Sequence, residues 1–120
     1  MALTSTPLDT RFSDIAVSQT AATGISDADV FGGAKTIYSV HISNASSGVV
    51  YVKFYDDNTG SDSTAPVLIF EVPNGATMDV TMSDGIAFAT GVSWRCVQEA
   101  GTSGGTSPAG GNVLVEAVGS

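Results

Sequence analysis

Between Thr36 and Asp56 the chain reads TIYSVHISNASSGVVYVKFYD, and the period of two in this stretch leaves little besides β-structure open to it. Tyr38, Val40 and Ile42 alternate with Ser39, His41 and Ser43. After a polar break, Val50, Val52 and Phe54 alternate with Tyr51, Lys53 and Tyr55. Successive side chains of a strand point to opposite faces, so this pattern makes one apolar and one solvated face. β-Branched and aromatic residues reinforce it because they pack well on a pleated surface. The intervening Asn44-Ala45-Ser46-Ser47-Gly48 is rich in turn formers, which predicts that the two runs fold back on each other as an antiparallel hairpin.

The rest of the chain repeats the theme. Residues 1–13 are polar, carry Pro7 and keep no period, which predicts an extended N-terminal arm ahead of one domain over residues 14–120. Asp14 to Ala21 forms a short first strand with Ile15 and Val17 in alternation, and Thr23 to Ala34 is a loop with Val30 and Phe31 as an apolar plug. Asp57 to Thr64 is a run of turn residues. Val67 to Val72 and Thr77 to Met82 flank Pro73-Asn74-Gly75-Ala76, a tight-turn signal that predicts their pairing. A short strand at Ile86 to Ala89 precedes Val92 to Glu99, with Val92, Trp94 and Cys96 on its inner face. Ala100 to Gly111 lacks an apolar anchor and reads as a long exposed hairpin loop that orders on contact. Asn112 to Val118 is apolar on both faces, which places it centrally or at a subunit contact. About eight short strands without a helix predict an all-β fold, a single antiparallel β-sandwich of jelly-roll type.

Composition narrows the function classes. A chain of 120 residues suits one core, and 12 acidic against 4 basic side chains give a net charge of −8, which repels phosphate backbones and anionic lipid. Neither nucleic acid nor a membrane is therefore an expected partner. Apolar runs are far shorter than the roughly 20 residues of a bilayer span, and the N-terminus lacks a basic and apolar leader, which implies synthesis in a cytosol. Charged residues are only 13 %, against roughly 25 % in ordinary domains, so the surface is small, uncharged and suited to protein contact. Cys96, the only cysteine, reads as a small buried hydrophobe.

Candidate chemistry is sparse. His41 is the single histidine, so any Ser-His-Asp relay must use it, and its place between Ser39 and Ser43 on a strand suggests a surface or interface role. One cysteine and one histidine are too few for a structural zinc site. Glu71 and Asp79 are potential cross-strand carboxylates in the expected Val67–Met82 hairpin. Asp56, Asp57, Asn58 and Asp62 resemble the oxygen ligands of a calcium loop, but the sixth position from Asp56 is Ser61 and no helices flank it. Gly101-Thr102-Ser103-Gly104-Gly105 has neither the following helix nor the lysine of a phosphate loop. The expectation is a chain without catalytic residues, cofactor or metal.

The order of pieces resembles a group of small structural proteins of tailed bacteriophages, including those of cyanobacteria: head decoration, or cement, proteins. The likeness rests on Phe31-Gly32-Gly33-Ala34-Lys35-Thr36-Ile37-Tyr38, on Val50-Tyr51-Val52-Lys53-Phe54-Tyr55-Asp56 and on Ala65-Pro66. It continues through Val72-Pro73-Asn74-Gly75 and Gly85-Ile86-Ala87-Phe88-Ala89-Thr90-Gly91-Val92-Ser93 to the Gly/Ser/Thr loop before the last strand, about residues 30 to 118. The resemblance implies a homotrimer on the capsid exterior of a virion, made in the host cytoplasm and bound to the major capsid protein. Leu3, Pro7, Leu8 and Phe12 of the arm are then candidates for a clasp on the shell or a neighbour, the alternative being a frayed terminus. Tyr38, Tyr51 and Tyr55 are candidates for subunit contact, since tyrosine buries a large area while satisfying its hydroxyl, though they also suit a core or an ordinary surface. The alternative function is a tail fibre, spike or baseplate subunit whose loops face a receptor or glycan.

Overall fold

The computed structural model describes residues 15–19, 21–60 and 64–120. Seven strands form there: β1 (Ile15–Gln19), β2 (Lys35–Asn44), β3 (Val50–Asp56), β4 (Leu68–Val72), β5 (Thr77–Phe88), β6 (Val92–Val97) and β7 (Val113–Gly119), with no helix among the described residues. Consequently no helix there is long and apolar enough to cross a membrane. The strands make two antiparallel sheets, ordered β1-β7-β2-β5 and β4-β3-β6. The expected arm over residues 1–13 lies outside the described residues.

A shared hydrophobic core joins the sheets, an arrangement compatible with a β-sandwich. Val40 and Ile42 of β2 and Val113, Val115 and Ala117 of β7 meet Val50, Val52 and Phe54 of β3 and Val92, Trp94 and Cys96 of β6 in one buried cluster. Phe54 is its hub, fully buried, with the Trp94 ring 5.3 Å away, Phe70 edge-on at 5.8 Å and Phe88 at 6.5 Å. Such aromatic pairs add about 0.5–1.5 kcal/mol each beyond the area they bury. The Phe54–Phe88 contact reaches from β3 to β5 and so bridges the sheets.

The expected hairpin over Thr36–Asp56 does not form. β2 pairs with β5 and β7, whereas β3 pairs with β4 and β6, so the polar link after Asn44 carries the chain from one sheet to the other. Facing the two apolar stripes across a core buries both, which pairing them edge to edge does not. Asn44 builds the corner: its buried amide donates to the carbonyls of Gly48 and Val72, both at 2.9 Å, and its oxygen accepts from the Ser46 amide and hydroxyl. The predicted pairing of Val67–Val72 with Thr77–Met82 fails similarly, since β4 pairs with β3 and β5 with β2, and the Pro73–Ala76 turn is a second corner. β6 and β7 also lie in different sheets, so the segment between them is no hairpin loop.

Two local departures explain the strand count and the register. Thr77–Met82 and Ile86–Ala89, expected as separate strands, are one long β5, so seven strands stand where about eight were expected. Gly85 makes this continuous: its φ is +74°, and a Cβ there would lie 2.7 Å from the Tyr38 ring. The register shifts at this point: residues 82–85 of β5 stand opposite Tyr38 alone, while against β7 it is β2 that bulges, with one extra residue between Ile37 and Ser39. The extra residue, Tyr38, is left half-buried while Ile37 turns into the core, so the alternation expected from Tyr38, Val40 and Ile42 breaks at its first member.

Phe54→Ala should remove the hub on which the core aromatics converge and lower stability by about 3–5 kcal/mol. Urea unfolding checks this, and a loss below about 1 kcal/mol would mean that the rings do not pack as described.

Candidate functional site

The side chains expected to make contacts are distributed unevenly. Leu3, Pro7, Leu8 and Phe12 lie outside the described residues. Tyr38 and Tyr51 are half-buried, the Tyr51 hydroxyl donating to Glu71 at 3.4 Å, whereas Tyr55 is only 1 % exposed and is withdrawn from any partner's reach. Among the described residues β4 has a neighbour on one side only. Beside that open edge Val67 and Ile69 are exposed, at 45 % and 39 %. The outward face of the four-stranded sheet carries small polar side chains, Ser39 and Ser43 of β2 opposite Thr81 and Thr77 of β5.

His41 sits on that same outward face. Its Nδ1 lies 2.5 Å from an Asp79 carboxylate oxygen, and Glu116 stands opposite it on β7. Ser39 and Ser43 are two residues away along the strand, about 7 Å, which is too far for a serine–histidine hydrogen bond. Glu71 and Asp79 are not cross-strand neighbours: Glu71 faces Tyr51 in the three-stranded sheet and Asp79 faces His41 in the other. The paired-carboxylate arrangement fails because the hairpin it presumed is absent. Trp94, 1 % exposed, is a core residue whose indole N–H donates to Gln19 at 2.7 Å, so it offers no platform to a sugar. Cys96 is fully buried, and burial pushes its thiol up to about 12.

The acidic loop is held by its own backbone. Asp56 accepts hydrogen bonds from the amides of Thr90 at 2.8 Å, Ala89 at 3.1 Å and Gly91 at 3.4 Å, tying the end of β3 to the turn between β5 and β6. Asp57 accepts from the amides of Thr59 and Gly60 at 2.5 and 2.7 Å. These carboxylates are engaged as turn caps. Asp62 lies outside the described residues, and no metal-sized cluster of His, Cys, Asp or Glu occurs among those described. The Thr90 amide above all, with those of Ala89 and Gly91, holds the Asp56 carboxyl below its ordinary 3.8.

The least expected arrangement concerns Lys53 and Arg95. They face each other across β3 and β6 on the outer side of the three-stranded sheet, yet Lys53 is fully buried and Arg95 only 6 % exposed. A strap formed by residues 98–112 covers them. Lys53 donates to the Ser103 carbonyl at 3.0 Å and Arg95 to the Gly104 carbonyl. Burial first, and then the Arg95 charge, pull the Lys53 pKa below 10.5, with Glu99 acting in the opposite sense. The strap is pinned further by Thr106, whose hydroxyl and amide bond Glu99, by Gln98 donating to Ser107 at 2.7 Å, and by Ser47 donating to Ala109. The Gly24 amide donates to the Ser107 hydroxyl at 2.9 Å, and a Cβ at Gly24 would collide with the Gly105 carbonyl. The segment expected to be a free loop is therefore docked through polar anchors, which an inspection for apolar ones does not find. No signal in the sequence announces it, because the pairing of β3 with β6 that sets Lys53 beside Arg95 joins strands far apart in the chain.

Because its folded pKa is depressed, Asp56 contributes stability that is complete above about 3.8 and lost as pH falls through the lower folded value. Asp56→Asn should lower the melting temperature at neutral pH and flatten the acid limb below about pH 4. An unchanged acid limb in thermal melts would show that Asp56 does not cap the turn.

No family model, no curated protein and no solved structure matches this chain.

Proposed function

We propose that the chain is a structural protein of a tailed bacteriophage, a decoration subunit that binds the outside of the head as a homotrimer and stabilises contacts between major capsid protein subunits. The observation that carries this reading is the β4 edge, unpaired among the described residues, with Val67 and Ile69 exposed beside it. An unprotected apolar edge is a template for contact with another chain, which monomeric proteins usually cover or charge. The small polar face of β2 and β5, flanking His41, gives a second surface that approaches another protein closely at little desolvation cost. The resemblance over residues 30 to 118 adds the capsid as the partner and the virion exterior as the location. The finer fold in this reading is a β-sandwich related to the jelly roll, and the role is non-catalytic. A cement of this kind acts by mass action: binding only the assembled shell shifts the equilibrium towards it, and three equivalent sites multiply weak contacts.

Quantitative mass spectrometry of purified particles that encode this chain tests the reading. A copy number near that of the major shell protein is expected. A far lower ratio would replace it with a fibre, spike or baseplate role, and absence from the particle would overturn both. Ile69→Lys should weaken particle binding while changing stability by less than about 0.5 kcal/mol, as befits an exposed site. Deleting residues 2–13 should abolish binding if the arm is a clasp, and undiminished binding would remove Leu3, Pro7, Leu8 and Phe12 from the contact.

A further inference from the structure

Among the described residues β4 and β5 are each the edge of their sheet, and both lie at one flank of the molecule. Phe54 touches Phe70 of β4 and Phe88 of β5, and the Asn44 amide at the end of β2 bonds the Val72 carbonyl, which sets β4 beneath β2 and β5. Leu68 and Phe70 on one side of this flank and Met78 and Met82 on the other are only half-buried, and Val67 and Ile69 are exposed. Where β4 begins and β5 stops, a cleft of about 260 Å³ opens, lined by Lys35, Thr36, Phe88, Ala89 and Ser120. We propose that the chain's own N-terminal segment closes this flank: Phe12 fills the cleft, and residues 2–8 lie antiparallel along β4 as a detachable eighth strand.

Reach and direction select this occupant. Ile15 pairs with Gly119, Gly119 with Ile37, and Ile37 with Ile86, so the segment leaves β1 at the cleft end of the four-stranded sheet. The cleft, beside β2, is two strand spacings from β1, about 10 Å, which is the span of the three residues from Ile15 to Phe12. Lys35 on its wall is complementary in charge to Asp9 and Asp14, which stand on either side of Phe12 in the sequence. The remaining residues 2–11 extend about 33 Å, enough to cross the roughly 10 Å between sheets and to follow β4, about 17 Å long. β1 and β4 both run away from the cleft end, so a segment entering β1 from the β4 side runs opposite to β4. Antiparallel pairing is what every ladder described here uses, whereas the same segment would run parallel to β5. Pro7 suits the place, because proline is tolerated on an edge strand and prevents a further strand from adding. β4 itself, LIFEV, has only Glu71 as such a guard. The arm thereby withholds an apolar edge from other copies of the chain and yields it when drawn away. Only that last step rests on the reading of the β4 edge as a capsid contact.

Nuclear magnetic resonance of the full chain tests this, with a nitroxide attached at Thr6→Cys, since Cys96 is fully buried and stays unlabelled. Broadening of amide signals should be strongest in residues 68–72 and weakest in residues 22–30, which lie beyond β6 on the far flank. A mixture with the label on one chain and the isotope on another should show none. Phe12→Ala should abolish the broadening and speed amide exchange in β4 about tenfold, with β7 unchanged. A label effect no stronger in β4 than in residues 22–30, one unaltered by Phe12→Ala, or one that arises between chains would overturn the proposal, the last by assigning the edge to a neighbouring copy's arm. No particle enters the measurement, so its failure leaves the capsid role to the copy-number test.

Discussion

The contact between the buried cations of β3 and β6 and the carbonyls of Ser103 and Gly104 governs how the outer side of the three-stranded sheet is finished. Lys53 and Arg95 have no place in an apolar layer, yet water is kept from them. A buried charge requires hydrogen-bond acceptors, and the chain supplies them from its own backbone. That choice dictates the composition of the strap. To bring peptide carbonyls onto a β-surface the segment must lie flat and turn sharply, and a run of glycine, serine and threonine does so without side chains that would hold it away. Gly24 completes the fit from beneath, where there is no room for a methyl group.

The same economy treats the edges. β6 is buried on both faces, and its outer edge is joined by the segment between β1 and β2, which exchanges hydrogen bonds with Trp94 through Asp27, receives the Cys96 amide at the Thr23 carbonyl and reaches Val92 through Val30. An edge bonded in this way is closed to other chains. On the opposite side β4 has no neighbour among the described residues, with Val67 and Ile69 exposed beside that edge. Among the described residues this asymmetry gives the three-stranded sheet one sealed edge and one open edge. Asn44 at the end of β2 fixes the corner between β2 and β3, and Asp56 at the end of β3 fixes the corner between β5 and β6, each through several bonds at once.

Much of this was legible in the residues. The segments that alternate between Lys35 and Val118 are strands, and Val113, Val115 and Ala117 are central as their apolar character required. Cys96 and Trp94 are core residues, and the glycine-rich segment contains no regular structure. The candidate site was less legible. Lys53 alternates with Val52 and Phe54, which reads as a solvated position, and nothing nearby in sequence announces that residues 50 positions later cover it. Tyr55, for which contact and core readings were both open, is buried for the same reason. Burial of an outward-facing side chain depends on what another part of the chain lays over it.

Pairing was decided by tertiary structure alone. Turn residues between two strands indicate that the chain reverses, but a tight hairpin and a corner between sheets use the same asparagine, glycine and serine. Asn44-Ala45-Ser46-Ser47-Gly48 and Pro73-Asn74-Gly75-Ala76 both proved to be corners. The sequence by itself determined which residues are strands and which face of each is apolar, because those follow from a local period of two. Which strand lies beside which, where the bulge at Tyr38 resets that period, and how two cations come to rest beneath a strap are settled only when two apolar faces must be buried against each other, a requirement that couples residues far apart in the chain.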